Sequence, residues 1–365
     1  MPKMRTTPVV HHLKAVSRPR RLRCRSFSTT QTQRASADPK AIAENFLSKF
    51  AKGQTFVRKQ VLDGNQLRLF SLTLDRPHVW SEPSPRTLDQ EEPKEGTPLP
   101  AGYHLAYFTP AQVPGVLGQD GTDASFNPEA PFTRRMWAGG SVHWPGADPS
   151  QSMKHYLRVG DETTEVTKVL SCEAKTIKKT GESMLVVGVE KEFRDSKDNL
   201  CVLDKRNWVF REALDLSKPA KIPVKPAELS QSQLDEQAQD MIVRPFNRDV
   251  VQLFRMSALT FNAHRIHYDL PWATNVEGHR NVVVHGPLNQ ISMLDLWRDH
   301  MVEQGKSEDG VVYPKELFYR ATSPVYAGEP YRILMPANAS SSSEAEIQVV
   351  SNDGTVCLKA TMHNF

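Results

Sequence analysis

Acid–base side chains are concentrated in one short stretch of this 365-residue chain. Residues 260–286, TFNAHRIHYDLPWATNVEGHRNVVVHG, hold Asn262, His264, His267, Asp269, His279 and His285 within 24 residues, including four of the chain's twelve histidines. An imidazole gains and loses its proton near neutral pH, so the cluster is equipped for proton transfer. His264 and His267 also form an HxxH pair, which with His279 or His285 would offer nitrogen ligands to a metal. The glutamate of HExxH is missing, and Asn262-Ala263 reads as a turn rather than the middle of a helix, so neither a metal nor another cofactor is expected. His279 and Arg280 read as solvated loop residues. His285 stands just before a helix start, where a structural and a functional role are both open.

Particular elements must hold these side chains. In GPLNQISMLDLWRDHM, residues 286–301, the apolar Leu288, Ile291, Leu294 and Trp297 recur every three positions and predict a helix that opens at Gly286-Pro287. Upstream, VVQLFRMSALTF at 250–261 reads as a strand. Downstream, FYRATSPVYAG, YRILM, EIQVV and TVCLKATMH read as strands, the last with Val356, Leu358, Ala360 and Met362 in alternation. Earlier in the chain, AIAENFLSKFAKG predicts an amphipathic helix over 40–52, and 81–100 reads as an exposed Pro- and charge-rich loop. TTEVTKVLSC and SMLVVGVEKEF predict long strands joined by a turn at Thr180-Gly181. Residues 215–240 lack aromatics and strand pattern and read as a linker between a lobe at 40–214 and a lobe at 241–365. A weak repeat supports two similar lobes, each a long central helix wrapped by an antiparallel sheet. MWAGGS precedes Val159-Gly160-Asp161 in the first lobe, and VVHGPL precedes Ala327-Gly328-Glu329 in the second. Trp137, Trp272 and Trp297 read as core residues.

Composition narrows the classes further. Residues 1–37 carry nine Lys or Arg and no Asp or Glu, whereas 38–365 carry 37 basic and 42 acidic side chains. The Arg- and Ser-rich, acid-free start predicts a mitochondrial transit peptide, with cleavage expected after Phe27. A slightly acidic remainder argues against nucleic acid as a partner. No apolar run reaches the ~20 residues of a membrane-spanning helix. Cys172, Cys201 and Cys357, without a CxxC pair, read as free thiols of a reducing compartment. Rossmann, P-loop and GxSxG motifs are all missing.

The pattern Ser257-Ala258-Leu259-Thr260-Phe261-Asn262-x-His264-Arg265-Ile266-His267-Tyr268-Asp269, followed by Val284-His285-Gly286-Pro287, resembles the MaoC-like (R)-specific hydratases of the hot-dog superfamily. It is most similar to their fungal mitochondrial branch, the 3-hydroxyacyl-thioester dehydratase type 2 proteins and related mesaconyl-CoA hydratases. Arg135-Met136-Trp137-Ala138-Gly139-Gly140 and Val159-Gly160-Asp161 extend the likeness, which covers roughly residues 40–365. The resemblance implies an α+β double hot-dog fold, with a degenerate first lobe that shapes the acyl pocket and a catalytic second lobe. In that family an Asp-x-Asn-Pro-x-His signature holds the reacting water. Its His falls on His267, its Asn on His264 and its Asp on Asn262. An amide cannot accept a proton, so either His267 works with Asn262 and His264 as orienters, or His264 or Asp269 takes the lost role.

The activity implied is reversible dehydration of (R)-3-hydroxyacyl thioesters, on acyl carrier protein or CoA, in mitochondrial fatty-acid synthesis within the matrix. Such chemistry needs donors for an enolate oxygen. The start of the 286–301 helix would supply them from Gly286 and Leu288, because Pro287 has no N–H. The glycine would also let substrate approach the backbone. Arg265, Asp269, His285 and Arg135 are further substrate-binding candidates, Arg134 joining the arginines available to a CoA phosphate. Three rivals stand beside this reading: a short dicarboxyl-CoA hydratase needing a pocket cation from Arg265 or Arg135, a hot-dog thioesterase, and a non-catalytic acyl-thioester binder. A homodimer is left open.

Overall fold

The computed structural model describes residues 38–365 apart from 52, 81–85, 179, 219 and 308–309. The expected transit peptide lies outside the described residues. Helix α1, Pro39–Phe50, starts on Asp38, whose carboxylate accepts from the Lys40 amide, and buries Ile42, Ala43, Phe46 and Phe50. The strands are β1 (Phe56–Val61), β2 (Arg134–His143), β3 (Glu162–Thr176), β4 (Ser183–Arg194), β5 (Leu200–Arg211), β6 (Met241–Phe246), β7 (Glu316–Ala321), β8 (Tyr331–Pro336), β9 (Glu344–Ser351) and β10 (Val356–His363). The remaining helices are α2 (Gly64–Thr73), α3 (Gln231–Gln237), α4 (Val250–Leu259) and α5 (Gly286–Glu303).

All ten strands form one sheet, in the order β1-β3-β4-β5-β2-β7-β10-β9-β8-β6. Read from either edge toward the middle, each half repeats one order: first, third, fourth, fifth and second strand of that half. The halves meet where β2 pairs antiparallel with β7, from Gly139 opposite Arg320 to His143 opposite Glu316. The glycine turns that carried the sequence repeat occupy matching places, Gly160 before β3 and Gly328 before β8, both at positive φ (89° and 71°). MWAGGS does not match the start of α5; it lies in β2, the counterpart of β7.

α5 is the central helix of the second half. Leu288, Ile291, Leu294 and Trp297 are buried as the spacing predicts, but so are Asn289, Gln290, Asp295 and Arg298. The helix is enclosed, packing on β8, β9 and β10. No helix of this kind occupies the first half among the described residues. Between α2 and β2 the described residues make only short 3-10 turns, at Tyr103–Ala106 and Pro114–Val116. Prolines at 100, 110, 114, 128 and 131 deny that stretch a continuous helical ladder.

The strand expected at 250–261 is instead α4. Its β-branched opening, Val250-Val251, suggested a strand. Asp249 nevertheless caps the helix by accepting from the Gln252 amide, and Leu253, Met256 and Ser257 are buried at helical spacing. Among the described residues the linker segment holds one short helix, α3, opened by a Ser230–Gln233 capping box. Cys172, Cys201 and Cys357 are free and buried. Among the described residues, no helix is long and apolar enough to cross a membrane.

Candidate active site

α4 ends at Leu259, and Phe261 follows in the left-handed region (φ 48°), which costs a bulky residue energy and turns the chain sharply. The Asn262 side-chain oxygen then accepts from the His264 amide at 3.2 Å. Asn262 therefore shapes the turn through its carbonyl. A 3-10 turn, Arg265–His267, presents His267. Its Nδ1 lies 2.7 Å from the Val283 carbonyl. A carbonyl only accepts, so Nδ1 carries the hydrogen, and Nε2 has no hydrogen-bonding partner among the described residues. Val283 is itself fixed, donating to Ile266 O and pairing with Tyr326.

Burial, reinforced by the neighbouring His285 and His264, lowers the His267 pKa well below the ordinary imidazole value. His267 is therefore neutral at physiological pH, with a lone pair on Nε2. The His285 ring stacks on it, centroids 3.6 Å apart and planes 17° apart. The His285 Nε2 lies 3.0 Å from Ser257 Oγ of α4, and its buried Nδ1 has no partner among the described residues. Burial takes His285 down to about 3. His285 occupies the N-cap position of α5 but makes no capping bond, so the N–H groups of Gly286 and Leu288 remain available to another acceptor.

His264 meets His267 edge-on, centroids 5.4 Å apart. Its Nε2 is buried and lies 3.6 Å from Glu277 and 3.9 Å from Asp120. Glu277 is held by the Trp272 indole N–H at 2.9 Å. Burial raises the Glu277 carboxyl, but the His264 and Trp272 contacts and the Arg134 charge hold it below its usual value. Neither Glu277 nor Asp120 was singled out from the sequence. Glu277 sits within the histidine-rich stretch, yet only the π-helical turn Trp272–Val276 brings it back to His264. Asp120 comes from a distant loop, held by Gly121 (φ 82°), where any Cβ would lie 2.0 Å from the Ala263 carbonyl. Asp120, His264 and Glu277 place ligand atoms within 4.8 Å of one another, a set a divalent ion accepts. The Arg134 charge acts on both carboxylates and opposes a cation there.

His264, His267, Glu277 and His285 line a cavity of about 1610 Å³ between the second-half loops and the first-half sheet. Gly286, Pro287 and Asn289 at the start of α5 also line it, as do Arg134 and Arg135 of β2. Arg135 lies over the Trp208 ring and 3.6 Å from Asp123. Arg265 and Asp269 are elsewhere. Arg265 donates twice to Asp269 (2.9 and 2.6 Å) and stacks on Trp272, and neither residue lines the cavity. Their roles are local because they satisfy each other.

Three further expectations change. His279 is not solvated; it is largely buried, lines the cavity and lies 3.4 Å from Tyr326 Oη. Trp137 is cavity wall, stacked on Tyr319 at 4.7 Å. A bulge after Trp137 shifts the β2–β5 register and aims that side chain. The same ring explains Gly286, where a Cβ would lie 2.3 Å from Trp137 Cε3. The space beside that glycine is occupied by an indole.

The family model for hydroxyacyl-thioester dehydratase type 2 matches residues 102–327. A mesaconyl-C(4)-CoA hydratase of Chloroflexus aurantiacus is 30% identical over 272 residues, covering 74% of this chain and 85% of that one. A mitochondrial hydroxyacyl-thioester dehydratase type 2 of Schizosaccharomyces pombe is 28% identical over 250 residues, covering 65% and 77%. Among solved structures, a MaoC-like dehydratase from Phytophthora capsici superposes with TM-score 0.52 at 14% identity, over 86% of this chain and 95% of that one. A Mycobacterium tuberculosis protein described as a double hotdog fold gives 0.50 at 12%, over 87% and 96%. The shared architecture is the α+β double hot-dog.

Proposed function

Since the chain belongs to the hydroxyacyl-thioester dehydratase type 2 family of hydro-lyases, we propose that it interconverts (R)-3-hydroxyacyl and trans-2-enoyl thioesters in the mitochondrial matrix. The observation that carries the reading is the neutral His267, whose Nδ1 is committed to Val283 while Nε2 is without a partner on a cavity-lining residue beside the start of α5. In the dehydration direction Nε2 takes the α-proton. The first-turn amides of α5, Gly286 and Leu288, receive the developing enolate oxygen. His264, backed by Glu277 and Asp120, holds the β-hydroxyl. That group leaves as water with the proton that His267 Nε2 took from the α-carbon, so the C–O bond breaks as the C=C bond forms and the base is restored. Asn262 fixes the turn that places both rings, which explains why an amide suffices there.

The matrix reading rests on the composition of residues 1–37 and on the mitochondrial relative. Carriage on acyl carrier protein in fatty-acid synthesis would bring a plain alkyl chain into the cavity, and carriage on CoA the same chain on a free thioester. The test is stereospecific hydration of crotonyl thioesters on both carriers. Formation of the (R)-3-hydroxybutyryl product is expected. Release of free thiol in its place would assign a thioesterase, and binding without turnover would assign a scaffold.

A further inference from the structure

Behind the first turn of α5, the ends of β6 and β8 converge on one side chain, Asn289. These two strands pair so that Phe246 stands opposite Tyr331, and the rings stack with centroids 5.4 Å apart. The chain leaves β6 through Arg248, whose guanidinium lies over the Phe246 ring at 4.3 Å and whose carbonyl accepts from the Gly328 amide. Arg248 Nη2 donates to Ser292 Oγ at 2.8 Å, and its Nε lies 3.4 Å from the Tyr331 hydroxyl. The Tyr331 hydroxyl in turn reaches Asn289 Oδ1 at 2.7 Å. Arg248, Tyr331, Asn289 and Ser292 are all buried.

What each group can do fixes the direction of these bonds. A guanidinium only donates, so the Tyr331 oxygen accepts from Arg248 and its single hydrogen goes to Asn289. Burial raises the Tyr331 pKa, so that hydrogen stays in place. Asn289 therefore presents its oxygen to Tyr331 and turns its NH2 group away. That NH2 has no hydrogen-bonding partner among the described residues, yet Asn289 is only 4% exposed and lines the cavity. A buried donor left unmade costs free energy unless a ligand takes it. Position decides which ligand atom that is. Asn289 stands three residues after Gly286, on the same face of the helix, and helical side chains lean toward the N-terminus. Its NH2 is thus carried toward the free amides of the first turn. Arg248 pairs with no carboxylate among the described residues; two hydroxyls and a ring surround it, so its positive charge adds to that of the helix end.

We infer that the side-chain NH2 of Asn289 is a catalytic donor to the thioester oxygen, joining the amides of Gly286 and Leu288, and that Tyr331 and Arg248 are the positioning residues that aim and polarise it. The inference rests on the thioester hydro-lyase reading and adds a side chain to that reaction. As the α-proton passes to His267, negative charge gathers on the thioester oxygen. A donor already fixed in direction answers that charge without having to reorganise.

The experiment pairs kcat for crotonyl-CoA hydration with the infrared carbonyl band of bound butyryl-CoA, a saturated thioester that is not turned over. Asn289→Leu keeps the size of the side chain and removes the donor. It is expected to lower kcat by about 10²-fold, the usual worth of one such donor, while butyryl-CoA binds within about threefold of wild type. The carbonyl band, drawn to lower frequency by the donors of the wild type, moves up in the variant. Asn289→Asp, which sets an acceptor in the same place, loses more. Tyr331→Phe deletes one oxygen and lets the amide turn, so a loss of about tenfold with part of the band shift is expected. A kcat within about threefold of wild type in Asn289→Leu, or a band that stays put, overturns the donor role and leaves Asn289 a brace for Tyr331. Should the Asn289 variants not fold, Tyr331→Phe decides: full kcat with an unmoved band overturns the inference equally. If wild type binds butyryl-CoA yet hydrates no enoyl thioester, the hydro-lyase reading falls and the band still judges the donor; if it binds neither thioester, both fall.

Discussion

His267 and His285 lie face to face, ring centroids 3.6 Å apart and both buried, with only His267 hydrogen-bonded to the backbone of the 282–284 segment. Burial first, and then the His285 ring, oppose a proton on His267. His267 thus stays neutral, and Ser257 holds the ring behind it in place.

His267→Ala should lower kcat for crotonyl-thioester hydration by about 10²–10⁴, the usual worth of one positioned acid–base group. His267→Gln, which keeps a donor toward Val283, is the control for folding. Activity within about threefold of wild type in both variants, on the scale by which such groups are judged, would remove His267 from the mechanism.

Glu277→Gln should lower kcat more than it raises KM, since Glu277 acts through His264. It should also shift the pH–rate profile, while Glu277→Asp restores part of the rate. A profile superimposable on wild type would mean that Glu277 merely braces Trp272. Treatment with a chelator is expected to leave the rate unchanged; a loss restored by a divalent ion would instead assign Asp120, His264 and Glu277 to a metal.

The folded-state pKa values of His267 and His285 lie below the unfolded value. Between those values the unfolded chain binds protons that the folded chain does not, so stability is full above about pH 6.5 and falls as pH drops. Each such histidine contributes a slope of up to about 1.4 kcal/mol per pH unit. Denaturant titrations between pH 6.5 and 5, above most carboxylate titration, should show the decline. His285→Gln should flatten it, and an unchanged slope would argue that the ring is solvated.

Gly286→Ala drives a methyl group into Trp137, itself confined by Tyr319. Overpacking of this kind costs about 1–3 kcal/mol. The melting temperature should fall, and Trp137→Ala in the same chain should recover part of the loss. A Gly286→Ala protein as stable as wild type would mean that the indole moves freely.

Arg265→Ala and Asp269→Asn should alter turnover little, because the two residues pair with each other off the cavity. Exposed pairs of this kind are worth about 0–1 kcal/mol. A change of more than tenfold in KM for a CoA thioester, about 1.4 kcal/mol, would restore Arg265 as a phosphate ligand.

Much of this was legible in the sequence because it is local. The spacing in 286–301 marked α5, and the histidine spacing marked the turn that carries His264 and His267 into the cavity. What escaped depends on tertiary contact. Glu277 and Asp120 reach His264 only through a π-helical turn and a glycine-tight loop. α4 was misread because Val250-Val251 outweighed the Asp249–Gln252 cap.

The β2–β7 ladder has one more consequence. It ties the halves through backbone hydrogen bonds from Gly139 to His143, with the His143–Glu316 pair (2.7 Å) at its end. Prising them apart would tear a sheet at its middle rather than bend a hinge. Traffic through the cavity therefore falls to the loops, and heat should undo both halves in one cooperative event.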